Sequence, residues 1–131
     1  MCGLAGVWCW DTPIDRPAIA RALGLLDHRG PDGNGLWISE DGKVALGHTR
    51  LSIIDLVTGE QPLSHPNGKL QLVVNGEFYD YERIRNDLTA RGARFRTRSD
   101  SEIALWLYDE SGTRCFADLN GEFAFILWDA G

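Results

Sequence analysis

Cysteine 2, directly after Met1, would carry two reactive groups on one residue once the methionine is removed: a thiol and a free α-amine. The thiol is the better nucleophile among the hydroxyl and thiol side chains. The amine has an ordinary pKa of about 7.7–8.0, so roughly one molecule in seven is neutral at pH 7 and able to take the thiol proton, directly or through one water. This pair suits acyl transfer and needs no histidine. On position alone, Cys2 reads more simply as a small residue at the start of a buried strand. Other residues carry a similar double meaning. Asn75-Gly76 can aim a side-chain amide and a backbone N–H at one oxygen, and such donors contribute about 2.7–4 kcal/mol each to acyl-transfer transition states. The same dipeptide is also a common turn. Arg50 offers a planar fork suited to a carboxylate, or a partner for an ordinary ion pair. Asp100, at the start of a helix, can accept an ammonium group or simply favour the helix end.

These residues must be held by a small set of elements. Gly3 to Trp10 is apolar and ends at Asp11-Thr12-Pro13, which predicts a first strand closed by a turn. Asp15 can cap a helix from Arg16 to about Asp27, with Pro17 in its first turn and Ile19, Ala22, Leu23 and Leu26 at helical spacing. Leu36–Ser39 and Val44–Ile54 read as strands joined by an Asp41-Gly42 hairpin. A loop holding Pro62 and Pro66 leads to a strand at Leu70–Val74, after which Asn75-Gly76 stands where the strand ends. A second helix is expected over Tyr81–Ala90, with Ile84 and Leu88 inward and Gly92 beyond its end. Ser99 and Glu102 have capping-box spacing for a third helix through Tyr108, stopped near Gly112. Phe123–Trp128 reads as a closing strand. Asn75-Gly76-Glu77-Phe78 recurs as Asn120-Gly121-Glu122-Phe123, too short an echo to indicate a repeated unit. Strands and helices in separate blocks predict an α+β fold with largely antiparallel sheets.

Length and charge narrow the function classes. The 131 residues fit one domain. Thirteen Lys+Arg against nineteen Asp+Glu give a net charge of -6, and the cations show no obvious cluster, which argues against a nucleic-acid partner. The opening uncharged run, Met1 to Trp10, is too short to span a bilayer, so no membrane partner is expected. Three cysteines in an odd count and three scattered histidines give neither a disulfide framework nor metal-ligand spacing. Cytoplasm is the expected compartment. Trp8, Trp10, Trp37, Trp106 and Trp128 read as core or rim packing.

Several segments together resemble one family. Met1-Cys2-Gly3 with Gly6-Val7 resembles the start of the class II, N-terminal nucleophile glutamine amidotransferases. His28-Arg29-Gly30-Pro31-Asp32 with Gly35 is similar to their asparagine synthetase branch. So are Gly47-His48-Thr49-Arg50-Leu51-Ser52-Ile53-Ile54-Asp55, Gln61-Pro62-Leu63, Val74-Asn75-Gly76-Glu77, Ser99-Asp100-Ser101-Glu102 and Leu119-Asn120-Gly121-Glu122-Phe123-Ala124-Phe125. The resemblance covers residues 1–131, with two departures. The family usually shows Asn where this chain has Asp80. Family domains also continue past the strand matching Phe123-Ala124-Phe125 with an Arg-Asp-x-x-Gly segment and further strands, where these residues stop at Asp129-Ala130-Gly131.

The resemblance implies the αββα sandwich of N-terminal nucleophile hydrolases, here lacking its last strands. It implies a glutaminase in which Cys2 attacks the side-chain amide of glutamine, with Asn75 and Gly76 as the oxyanion hole and Asn120-Gly121 structural. Arg50 would bind the α-carboxylate, the backbone of Leu51, Ser52, Ile53 and Ile54 would line the pocket, and Asp100 supported by Glu77 would accept the α-ammonium. The Arg29-Gly30-Pro31 run would shape a loop near Cys2, with His28 and His48 structural. No metal or organic cofactor is expected for this half-reaction. ATP and magnesium would belong to a synthetase domain or subunit that accepts the ammonia; its Ser-Gly-Gly-x-Asp-Ser loop does not occur in these residues. The competing readings are a catalytically silent, partner-binding module that keeps Met1, or an inactive fragment of such a synthetase.

Overall fold

Among the described residues, six antiparallel strands divide into two three-stranded sheets. The computed structural model describes residues 1–53 and 57–131. The first sheet contains β1 (Gly3–Trp8), β2 (Gly33–Ile38) and β3 (Val44–Arg50) in the order β1-β3-β2. The second contains β4 (Leu63–Ser64), β5 (Leu70–Phe78) and β6 (Gly121–Asp129) in the order β4-β5-β6. The helices are α1 (Arg16–Gly24), α2 (Tyr81–Ala90) and α3 (Ile103–Ser111), with 3₁₀ turns at Asp100–Glu102 and Gly112–Ala117.

Side-chain alternation sorts the residues into layers. On β3 every residue from Val44 to Thr49 is buried, as a central strand covered on both faces requires. One face receives α1: a Cβ at Gly47 would stand 2.6 Å from Leu23, so the missing side chain lets the helix settle. The other face meets the second sheet, where a Cβ at Gly6 would stand 2.9 Å from Ile126. On β5, Leu70, Leu72, Val74 and Phe78 join Ile84 and Leu88 of α2 and Ile103, Leu105 and Leu107 of α3 in one core. The intervening Val73, Asn75 and Glu77 share a face with Ile126, Ala124 and Glu122 of β6, toward the first sheet. The layers run helix, sheet, sheet, helix, the expected αββα sandwich.

Most element assignments agree with expectation, and the differences have physical causes. The first helix ends at Gly24 and continues as turns through Arg29, and β3 ends at Arg50; Ile54 lies outside the described residues. Asn75-Gly76 neither ends a strand nor forms a turn. β5 runs on to Phe78 because β6 pairs with it residue by residue, from Leu70↔Asp129 to Phe78↔Gly121. The capping box does not form: Ser99 accepts the N–H of Ser101, while the Glu102 carboxylate takes the N–H groups of Arg96 and Thr97. The β4 strand arises within the expected proline loop. The echoed tetrapeptide is no repeated unit, yet its copies lie opposite one another about the pair Glu77↔Glu122. Gly76 (φ +129°) and Gly121 (φ +150°) occupy conformations that L side chains rarely adopt. A Cβ on either would collide with the carbonyl oxygen of the opposite glutamate. Gly121→Ala should therefore cost at least about 1–3 kcal/mol in urea unfolding, whereas Gly24→Ala, which meets nothing within 4 Å in a helix, should be neutral or stabilising.

One polar contact bridges the sheets inside this core. The His48 ring, 1% exposed, places Nε2 3.0 Å from the carbonyl oxygen of Val74. Burial pushes its pKa down to about 4, with the Arg50 charge adding to the effect and the Val74 bond opposing it. An imidazole whose folded pKa lies below its ordinary value of 6.5 is protonated more readily when unfolded. Its contribution to stability is complete above pH 6.5 and is lost as pH falls toward 4. Chemical denaturation across this range should show stability falling with pH, and His48→Gln should flatten that slope.

Candidate functional site

At one end of the layer between the sheets lies a cavity of about 460 Å³. Cys2 reaches it because β1 begins at its rim and both polar groups of the Cys2–Gly3 peptide are held. Arg29 Nε donates to the Cys2 carbonyl at 3.1 Å. The next N–H, of Gly3, donates to Thr49 Oγ1 at 3.0 Å, which in turn donates to the Leu26 carbonyl. Gly30 lies against the Thr49–Arg50 backbone, leaving no room for a side chain. The arginine-glycine-proline loop thus does shape the surroundings of Cys2. The sulfur faces the turn after β3: the Leu51 N–H points to Sγ at 3.3 Å, and Sγ lies 3.7 Å from the Leu51 carbonyl.

Arg50, Leu51, Ile53, Asn75, Gly76, Glu77 and Asp100 line the same cavity, so residues spread over a hundred positions converge. Asn75 and Glu77 arrive from β5, Arg50 from the end of β3. Asp100 opens the 3₁₀ turn of Asp100–Glu102; it is 3% exposed and takes the Phe78 N–H on Oδ2 at 2.7 Å. Burial raises its pKa above the ordinary carboxylate value, against the lowering effect of that bond and others from its own turn. Ser52 does not line the cavity; its N–H donates to Asp32 Oδ2 at 2.7 Å. Ile54 lies outside the described residues.

Several lining residues escape the sequence reading. His48 and Gln61 reach the rim while binding the two polar groups of Val74: the Val74 N–H donates to Gln61 Oε1 at 2.6 Å, and the Val74 carbonyl faces His48 Nε2. Glu122 enters opposite Glu77, so that among the described residues three carboxylates and the guanidinium of Arg50 line the cavity. The echo at 120–123 contains Glu122, whereas His48, expected to be structural, and Gln61 stand within segments that resemble the family. Met1, 70% exposed, borders the cavity beside Cys2.

The arrangement brings a thiol, backbone and side-chain N–H donors, a guanidinium and buried or rim carboxylates around one cavity. Among the described residues no group of three or more His, Cys, Asp and Glu could hold a metal ion, and no helix is long and apolar enough to cross a membrane.

A family model described as a glutamine amidotransferase domain matches residues 1–131. The chain is 50% identical over 109 residues to amidase chry2 of Gibberella zeae, covering 82% of this chain and 16% of that protein. It is 37% identical over 133 residues to glutamine-hydrolyzing asparagine synthetase 1 of Bacillus subtilis, covering 98% and 21%. Glutamine phosphoribosylpyrophosphate amidotransferase of B. subtilis, solved with ADP and GMP, shares the fold with a TM-score of 0.78 and 24% identity, over 99% of this chain and 35% of that one. The chain spans about a fifth of the length of the curated relatives it matches. By its sequence over residues 1–131, the chain belongs to the glutamine amidotransferase domain family.

Proposed function

We propose that this domain hydrolyses glutamine to glutamate and ammonia through Cys2. The observation that carries the reading is the convergence of Cys2, Arg50, Asn75, Gly76 and Asp100 on one cavity. With Met1 removed, the freed α-amine takes the thiol proton, and Sγ attacks the side-chain amide carbon of glutamine. The carbonyl oxygen gains the negative charge and is met by the Asn75 amide and the Gly76 N–H. The protonated amine returns its proton to the amide nitrogen, the C–N bond breaks and ammonia leaves, so that a γ-glutamyl thioester remains on Cys2. Water, deprotonated by the same amine, attacks the thioester carbon; the C–S bond breaks, glutamate leaves and the thiol reforms.

Arg50 holds the α-carboxylate of glutamine, and Asp100 with Glu77 receives the α-ammonium, with Leu51 and Ile53 forming part of the wall. The reaction uses no metal or organic cofactor. The ammonia passes to a synthetase domain or subunit, a reading supported by the greater length and the names of the relatives. Aspartate is the acceptor favoured by the asparagine synthetase branch, although an amidase shares the highest identity reported above. Three cysteines that are all free suit the reducing cytoplasm.

The nucleophile is tested by glutamate release. Cys2→Ala should abolish it, while Cys9→Ser and Cys115→Ser retain it. A preparation that keeps Met1, verified by intact mass, should be slower by at least about 10²–10⁴-fold because an acylated nitrogen is no base; equal turnover would refute the mechanism. The carboxylate clamp is tested by Arg50→Lys, which keeps the charge and loses the fork. KM for glutamine should rise about 10–100-fold, and an unchanged KM would remove Arg50 from this role.

A further inference from the structure

The second edge of β5 is only partly covered by a strand. On its β6 side the ladder runs the full nine residues from Leu70 to Phe78, but β4 pairs only with Gln71 and Leu72. In an antiparallel ladder the residues that turn their N–H and C=O groups toward one neighbour alternate along the strand. On the β4 side these are the even-numbered ones: the Leu70 carbonyl accepts the His65 N–H at 3.1 Å. Beyond Leu72 the next three are Val74, Gly76 and Phe78, and side chains take the place of the missing strand. Gln61 and His48 bind both polar groups of Val74, and Asp100 binds the N–H of Phe78. Gly76 lies midway between these anchors, which stand roughly 13 Å apart at 3.3 Å per residue. The alternation turns its N–H to the same edge, which there borders the cavity.

We propose that His48 and Gln61 are positioning residues: by clamping the N–H and carbonyl of Val74 they fix the direction in which the Gly76 N–H is presented to the ligand. The proposal rests on the reading of Gly76 as an oxyanion donor. The two clamps come from independent elements, β3 of the opposite sheet and the loop before β4, so Val74 is tied to both through its two successive peptide groups. His48 is fully buried and neutral, and its neighbour is a carbonyl, which assigns the ring proton to Nε2 as donor. The second clamp depends on the Gln61 oxygen. Neither side chain needs to touch the reacting atoms. A donor displaced by even 1 Å is costly to the transition state and matters little to ground-state binding through the distant carboxylate and ammonium groups.

The test pairs kinetics with amide NMR on the full, Met1-processed chain. His48→Leu and Gln61→Leu remove one clamp each; His48→Gln restores an N–H donor and Gln61→Glu restores an acceptor. Each Leu variant should lower kcat for glutamine hydrolysis about 10²-fold with KM within threefold of the parent, and the conservative variants should recover most of the loss. In both Leu variants the Gly76 amide resonance should shift and exchange faster with solvent, with the β1–β3 ladder unchanged. A parental kcat in Gln61→Leu, or a rise in KM that accounts for the lost efficiency, overturns the proposal. If His48→Leu does not fold, the half-buried Gln61 carries the test alone. If the parent chain releases no glutamate, it is the glutaminase reading that fails, and the NMR arm decides the clamp. A Gly76 amide shifted by Gln61→Leu then supports it, and an unmoved one overturns it.

Discussion

A strand buried in a protein must find partners for every N–H and C=O it carries, and β5 meets this requirement differently on its two edges. Toward β6 it is an ordinary ladder. Toward the other side it turns from strand pairing at Leu72 to side-chain pairing at Val74 and Phe78. The rest of the domain follows from this asymmetry. The even-numbered side chains of β5 anchor the helical core, the odd-numbered ones face the first sheet, and the stretch that no strand covers is the wall of the cavity. A complete third neighbour would satisfy the backbone equally well and leave no site.

The same constraint explains the paired glycines. Gly76 and Gly121 face the carbonyls of Glu122 and Glu77, and only the absence of both Cβ atoms lets the two strands approach there without breaking the ladder. The cost is that Glu77 and Glu122 come to lie directly opposite each other, a like-charge arrangement that a sheet ordinarily disfavours by some tenths of a kcal/mol. Beside the buried Asp100 this makes one side of the cavity strongly acidic, with Arg50 as its counterpart. A zwitterion complements that polarity better than a simple anion does.

Local signals were most legible where one element decides its own form. The Tyr81–Ala90 helix was readable from Ile84, Leu88 and Gly92 because its burial stripe and its stop lie within a dozen residues. The Asp41-Gly42 hairpin was equally plain. Asn75-Gly76 misled because its turn preference is overridden by β6, which arrives from far along the chain. Ser99 and Glu102 misled because the carboxylate is claimed by Arg96 and Thr97, before the helix. At the site, Cys2, Arg50 and Asp100 stood out through their chemistry and family resemblance. His48 and Gln61 did not, since their shared partner is a backbone group 26 and 13 residues away, and main-chain partners leave no mark on residue type.

The order in which the pieces occur along the chain has a consequence for biosynthesis. Residue 2 leaves the ribosome first, whereas the strand that holds Asn75 and Gly76 in an extended ladder, β6, follows after two further helices. Until β6 docks, nothing opposes the preference of Asn-Gly for a turn, and the cavity lacks Glu122, Phe123 and Ala124 from its wall. A nascent chain therefore carries its thiol exposed but without a formed pocket. The topology itself delays the site until β6 has emerged.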